Sequence, residues 1–162
     1  MLNALFIALV TQLTNQFMHD TTPTIHKLEV KNVVAIIPFK GREKAVLQFD
    51  FDLDLSTLFD WNCKQVFVFF EAAYTAAGRP SNRIIVWDHV IYSKEEAKHV
   101  KGQGSFSEYE MDDISHGLKG ANVTFKLGVD TMPILGLVGK RYQLQYANTS
   151  NFLMPSTYGK FI

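Results

Sequence analysis

From residue 24 onward, hydrophobic and polar positions alternate with a period of two rather than 3.6, the mark of extended chain. TIHKLEVKNV (24–33) alternates imperfectly. KAVLQFDFDLDL (44–55) alternates cleanly, with Leu47, Phe49, Phe51, Leu53 and Leu55 on one face and Gln48, Asp50, Asp52 and Asp54 on the other. KQVFVFFEAAY (64–74) is apolar on both faces and predicts a central strand covered on both sides; RIIVWDHVIY (83–92) predicts another buried strand. AGRPSN (77–82), HVKGQGS (99–105) and SHGLKGAN (115–122) predict turns or loops, since Gly, Pro and Asn punctuate strands. SFSEYEM (105–111), VTFKLGVD (123–130), MPILGLVG (132–139) and RYQLQYA (141–147) complete the set, and a short helix or turn fits only at 56–63. The pattern predicts a mainly β chain folded as an antiparallel β-sandwich, with no internal repeat.

Before the strands the character changes. MLNALFIALVTQLTNQFM starts apolar and then fills with Gln12, Thr14, Asn15 and Gln16. Its strongly apolar run, Leu2–Val10, is shorter than the about 20 residues that usually cross a bilayer. No Lys or Arg precedes Lys27, and a basic leader with an A-x-A-like cleavage site is missing. A weak membrane anchor and an amphipathic docking helix both fit. Residues 1–19 are therefore expected to form an N-terminal, membrane-anchoring helix, with residues 20–162 as the β domain.

Composition narrows the chemistry. The 162 residues carry 16 basic and 16 acidic side chains, a balance that argues against a nucleic-acid partner. A single cysteine, Cys63, excludes an intrachain disulfide and a multi-thiolate zinc site. Asp50, Asp52 and Asp54 match the start of an EF-hand loop, but its glycine and closing glutamate positions hold Leu55 and Trp61. On an extended strand these carboxylates lie ~7 Å apart and are read as its solvated face. Neither G-x-S-x-G nor S-x-x-K nor H-E-x-x-H occurs, and Asp88 and His89, being adjacent on a strand, point apart. No catalytic residue, cofactor site or metal site is expected. Two N-x-[ST] sequons stand at Asn122 and Asn148. Trp87 reads as core, whereas Phe59, Trp61 and the segment Met132–Gly139 are candidates for partner contact, with core packing the alternative, above all for Phe59.

The segment LFDWNCKQVFVFFEAAY resembles the signature of signal peptidase complex subunit 3, the accessory subunit of the endoplasmic reticulum enzyme, whose core reads [LI]-F-[DN]-W-N-x-K-Q. Leu58–Gln65 match it, and Asp50 and Asp54 fall in the family's F-D-x-x-x-D-L approach. NALF (3–6), NRIIVWDHVI (82–91) and GLKGANVTFKL (117–127) resemble further family segments in order, the last one residue shorter between Gly120 and Asn122. The resemblance implies a single-pass type II protein of the endoplasmic reticulum membrane with a lumenal β-sandwich. It implies a partner, the catalytic subunit, no catalysis of its own, and a glycan at Asn122; Asn148 matches no family position. The departures are at the start: no Arg-containing residues precede NALF, and Thr11–Gln16 would lie within the membrane. A different reading, a secreted or surface β-sandwich that binds a ligand behind an atypical leader, also fits the pattern.

Overall fold

The computed structural model describes residues 6, 7, 10, 22–76, 79–135, 141–144 and 152–161. Its strands are β1 (Thr24–Phe39), β2 (Arg42–Asp54), β3 (Cys63–Ala76), β4 (Arg79–Ile91), β5 (Val100–Phe106), β6 (Met111–Asp113), β7 (Asn122–Pro133), β8 (Arg141–Leu144), β9 (Phe152–Leu153) and β10 (Gly159–Lys160). A 3-10 turn, Ser56–Leu58, and a four-residue helix α1, Lys94–Ala97, complete the list. All strand pairs are antiparallel. One sheet runs β10-β1-β2-β5, with β6 beside β5 on the same edge of β2; the other runs β4-β3-β7-β8, with β9 also on β7.

The two sheets share one core. Leu47, Phe49, Phe51 and Leu53 of β2 bury their side chains in the same cluster as Val66, Val68, Phe70 and Ala72 of β3 and Val123, Phe125 and Leu127 of β7. Aromatic rings make the join: Phe70 meets Phe49 edge-on at 5.2 Å and Phe51 at 5.3 Å, and Trp87 packs on Phe51 at 4.8 Å. Such pairs add roughly 0.5–1.5 kcal/mol each beyond the area they bury. Trp87 is half-buried and packs against the core, but β4, expected as a buried strand, stands at the end of its sheet with Arg83, Ile85 and His89 exposed.

The imperfect alternation of residues 24–33 has a structural cause. β1 departs from regular pairing with β2 at three places, between Ile25 and Lys27, Val30 and Asn32, and Val33 and Ala35. Each irregularity reassigns the inward face, so the buried residues are Leu28, Val33 and Ile36 rather than alternate positions. β1 then runs on through Phe39 and turns at Lys40 and Gly41, both at positive φ, the two-residue hairpin turn that matches strand twist.

HVKGQGS, expected as a loop, is instead largely strand β5. Gly102 lies opposite Phe51, whose ring occupies the space a Cβ would need. Gly104 sits at positive φ, where β5 bulges opposite β2. Those glycines fit an aromatic ring and a bulge, not a loop. SFSEYEM, expected as a strand, is divided among the end of β5, a bend and the start of β6. VTFKLGVD and the Met132–Pro133 pair belong to one strand, β7, and residues 136–139 of the MPILGLVG segment lie outside the described residues.

At the hairpin end two carboxylates are buried. Glu43 is fully enclosed; its oxygens accept from the Tyr158 hydroxyl at 2.7 Å and the Leu118 and Lys119 N–H groups at 2.8 and 3.3 Å. The Glu43 carboxylate raises the pKa of Tyr158 above the usual phenol value. Its neighbour across the ladder, Asp113, accepts from the Gly117 N–H at 2.6 Å and from the Ser115 hydroxyl and N–H. Burial works against the Asp113 carboxylate, but these donors outweigh it and hold its pKa below the ordinary value. These bonds tie the 114–119 connection and the chain near Tyr158 onto the end of β2. Glu43→Ala is expected to cost about 2–4 kcal/mol, because it orphans a set of buried donors, and Tyr158→Phe about 1 kcal/mol. Urea denaturation of the two variants checks the ranking.

Candidate functional site

The corner that joins the two sheets is built from a short polar grammar. After β2, the Asp54 carboxylate accepts the Ser56 N–H at 2.9 Å and starts the 3-10 turn. Asp60 repeats the device two residues before Asn62, accepting its N–H at 2.8 Å. Leu58 is buried and Phe59 is half-buried against the core. Trp61, by contrast, is 60% exposed. Of the two partner-contact candidates, the corner therefore turns one ring inward and one outward.

Asn62 explains why. Its side chain is buried and acts as a clamp: Nδ2 donates to the Leu135 carbonyl and Oδ1 accepts the Leu135 N–H, both at 3.0 Å. The Asn62 carbonyl takes the Ile134 N–H at 2.7 Å. Asn62 therefore saturates one residue of another strand's exit, as a strand neighbour would. Ile134 and Leu135, the described part of the MPILGLVG candidate beyond β7, are thereby fixed beside Trp61 and remain 60% and 54% exposed. The structure brings together Trp61 and this segment, two candidates more than 70 residues apart in sequence; Asn62, which joins them, was not singled out in the sequence. Its signal was an Asn two residues after a turn Asp and immediately before the first residue of a strand.

The aspartate row needs a correction. Asp50 is buried rather than solvated, and Asp52 and Asp54 are half-buried. Asp50 Oδ2 receives the Lys27 ammonium at 2.7 Å and Lys31 at 3.4 Å, and Oδ1 accepts the Gly104 N–H at 2.7 Å. Long lysine stems from β1 and the bulged β5 cover a carboxylate that alternation alone leaves open to water. Lys27 and the Gly104 N–H hold the Asp50 pKa down to about 2. Asp52 pairs with Lys101 at 2.9 Å. Among the described residues no group of three or more His, Cys, Asp or Glu side chains is placed to hold a metal ion.

The remaining chemistry-bearing residues are dispersed. His89 Nε2 meets Glu96 at 3.0 Å, not the adjacent Asp88; Glu96 also accepts the Tyr92 N–H, which lowers its pKa. They stand over a cleft of about 320 Å³ floored by Phe51 and Trp87. Burial pushes the Cys63 thiol up to about 11, which makes it a poor nucleophile. Asn122 is exposed at the start of β7, on the face opposite inward-pointing Val123. Asn148 lies outside the described residues, as does the N-terminal segment apart from Phe6, Ile7 and Val10. Among the described residues no helix is long and apolar enough to cross a membrane.

The family model described as "Signal peptidase subunit" matches residues 1–157. The chain belongs to the signal peptidase subunit family. It is 38% identical over 100 residues to a signal peptidase complex subunit 3 of Yarrowia lipolytica, covering 61% of this chain and 54% of the relative. The protein of the same name from Saccharomyces cerevisiae is 35% identical over 100 residues, with the same coverage. That of Caenorhabditis briggsae is 33% identical over 122 residues, 74% of this chain and 64% of the relative. The matched stretch thus spans between about half and two thirds of these relatives. The resemblance carried by Leu58–Gln65 and the VWD strand identified the right family.

Two outcomes test the site's construction. Asp50 has a folded pKa below its unfolded value of about 3.9, so its contribution is present above that pH and disappears as pH falls toward about 2. Asp50→Asn should lower stability by about 1–2 kcal/mol near neutrality, solvent at the two lysines moderating the loss. In urea titrations that gap should close between about pH 4 and pH 2. Asn62→Ala should cost about 1–2 kcal/mol and speed hydrogen exchange at the Leu135 amide, while Trp61→Ala stays within about 0.5 kcal/mol. Equal exchange at Leu135 in both proteins would remove the clamp.

Proposed function

We propose that this chain is a non-catalytic subunit of the signal peptidase complex that supports the catalytic subunit as signal peptides are removed from nascent secretory proteins at the endoplasmic reticulum. The observation that carries the reading is the family match over residues 1–157. The relatives' shared name, signal peptidase complex subunit 3, agrees with it. The buried carboxylates fit a structural role. Glu43, Asp50 and Asp113 are each engaged by backbone N–H groups, hydroxyls or lysines, so they hold the fold together instead of facing a substrate.

On this reading residues 1–19 anchor the chain in the membrane as a single-pass type II segment, and residues 20–162 form a lumenal domain in which the two sheets face each other as a sandwich. A rigid β domain beside a protease acts through position, by holding the catalytic subunit and the substrate's cleavage region in register. Exposed Asn122 is the glycan acceptor, with Asn148 as a second sequon.

Affinity purification of the tagged chain from detergent-solubilised endoplasmic reticulum, followed by mass spectrometry, tests the proposal. A signal peptidase catalytic subunit is expected in stoichiometric amount, and endoglycosidase treatment should shift the chain's mobility in wild type but less in Asn122→Gln. Recovery of the protein from soluble secretory fractions without a catalytic subunit would instead favour the ligand-binding reading.

A further inference from the structure

Two of the connections that pass between the sheets lie at one end of the domain. Residues 55–62 lead from β2 to β3, and residues 92–99, including α1, lead from β4 to β5; the Leu55 N–H donates to the Ala97 carbonyl at 2.8 Å and holds the two together. The N-terminal segment joins the domain at this same end, since Thr24 pairs with Asp54 and the Thr57 hydroxyl donates to the Thr22 carbonyl at 3.4 Å. Large apolar side chains crowd there in the open: Trp61, Tyr92 (68% exposed), Ile134 and Leu135. Tyr92 directly follows Ile91, and Ile134 directly follows Pro133, so both stand at strand ends. Exposed Lys64 and Lys94 flank them.

We propose that this end of the domain, through Trp61, Tyr92, Ile134 and Leu135, rests in the headgroup layer of the membrane that the N-terminal segment enters. The inference rests on the anchored reading and names the occupant of the Trp61 corner. Only 11 residues separate Val10, the end of the apolar run, from Thr22, a tether of at most about 40 Å fully extended. A tether attached at this end turns this end toward the bilayer. Trp and Tyr prefer that boundary because the ring is apolar and its N–H or O–H is not, and lysines reach from it toward phosphates. The Asn62 clamp fixes the Ile134 and Leu135 backbone, which lowers the cost of ordering that part of the patch against the membrane. Exposed Phe39 does not share this position: it lies at the far end of β1, about 50 Å away along the strand, between the Lys40 and Lys44 ammonium groups.

The test uses the full chain reconstituted into phosphatidylcholine–phosphatidylserine vesicles carrying a nitroxide-labelled phosphatidylcholine headgroup. Only two tryptophans emit, and Trp87 packs against the core, so the difference between wild type and Trp61→Phe isolates Trp61. The Trp61 emission is expected to fall about twofold with the labelled lipid and to be shielded from aqueous iodide. Ile134→Ser with Leu135→Ser should weaken the lipid quenching, and a Phe39→Trp reporter should remain open to iodide. If the chain withstands carbonate extraction but Trp61 answers only to iodide, the headgroup contact is wrong and the anchor stands. Shielding of Trp61 from both quenchers, appearing only in the co-purified complex, would assign the patch to a protein partner and overturn the proposal. Loss of the chain from the vesicles on carbonate washing would sink the anchored reading and this inference with it.

Discussion

Four rings hold the two sheets together, and the rest of the domain is arranged around keeping them there. Phe49 and Phe51 come from one sheet and Phe70 and Trp87 from the other, with centroids 4.8–6.0 Å apart wherever the sheets or neighbours touch. Rings of this size cannot shift by one residue without turning outward, so they fix the register of β2 and β3 at once. β5 must then supply a glycine, Gly102, beneath Phe51, because any side chain there would collide with the ring. The bulge that follows aims the Gly104 N–H at Asp50, and Asp50 in turn gathers Lys27 and Lys31 from β1. An aromatic contact in the core thereby dictates an ion pair on the outer face of the sheet.

Polar clamps finish what the rings begin, one at each end. Glu43 and Asp113 gather the connections at the hairpin end, and Asn62 gathers the exit of β7 at the other. Burying Glu43 is worthwhile only because Tyr158, Leu118 and Lys119 all donate to it; a lone carboxylate in that place would be strongly unfavourable. Asn62 is neutral and costs less to bury, while its amide offers the donor and acceptor that a strand exit lacks.

What was legible in the sequence followed from side-chain period. The clean alternation of residues 44–55 located β2, its inward Phe and Leu set, and the two-faced apolar character of β3. The turn at 56–63 and the packing of Trp87 against the core were legible for the same reason. What failed was information carried by partners distant in sequence. Gly102 and Gly104 look like loop residues unless Phe51 and Asp50 are known to face them. Asp50 looks solvated unless Lys27 and Lys31 are folded over it. β9 and β10 are two residues each, too short to leave a period, and exist because β7 and β1 offer edges. The corner itself was visible as a motif, Trp-Asn-x-Lys-Gln, but the motif did not reveal which residue faces out; that required the Leu135 backbone to occupy the Asn62 amide.

β7 can be used as a ruler. Asn122 begins it and Pro133 ends it, a separation of about 35 Å for an extended strand. A glycan on Asn122 would be bulky and would need open solvent, whereas Ile134, one residue past the other end, is apolar and sits where the N-terminal segment arrives. On the anchored, glycosylated reading proposed above, the two requirements agree on one orientation: the corner toward the bilayer, the sequon away from it. They arise from unrelated features, a hydrophilic acceptor and a hydrophobic end, and on that reading one strand meets both by standing up from the membrane. In that proposed posture the long flanks of the two sheets, rather than their ends, are the surfaces along which a neighbouring subunit would be held at a fixed height above the lipid.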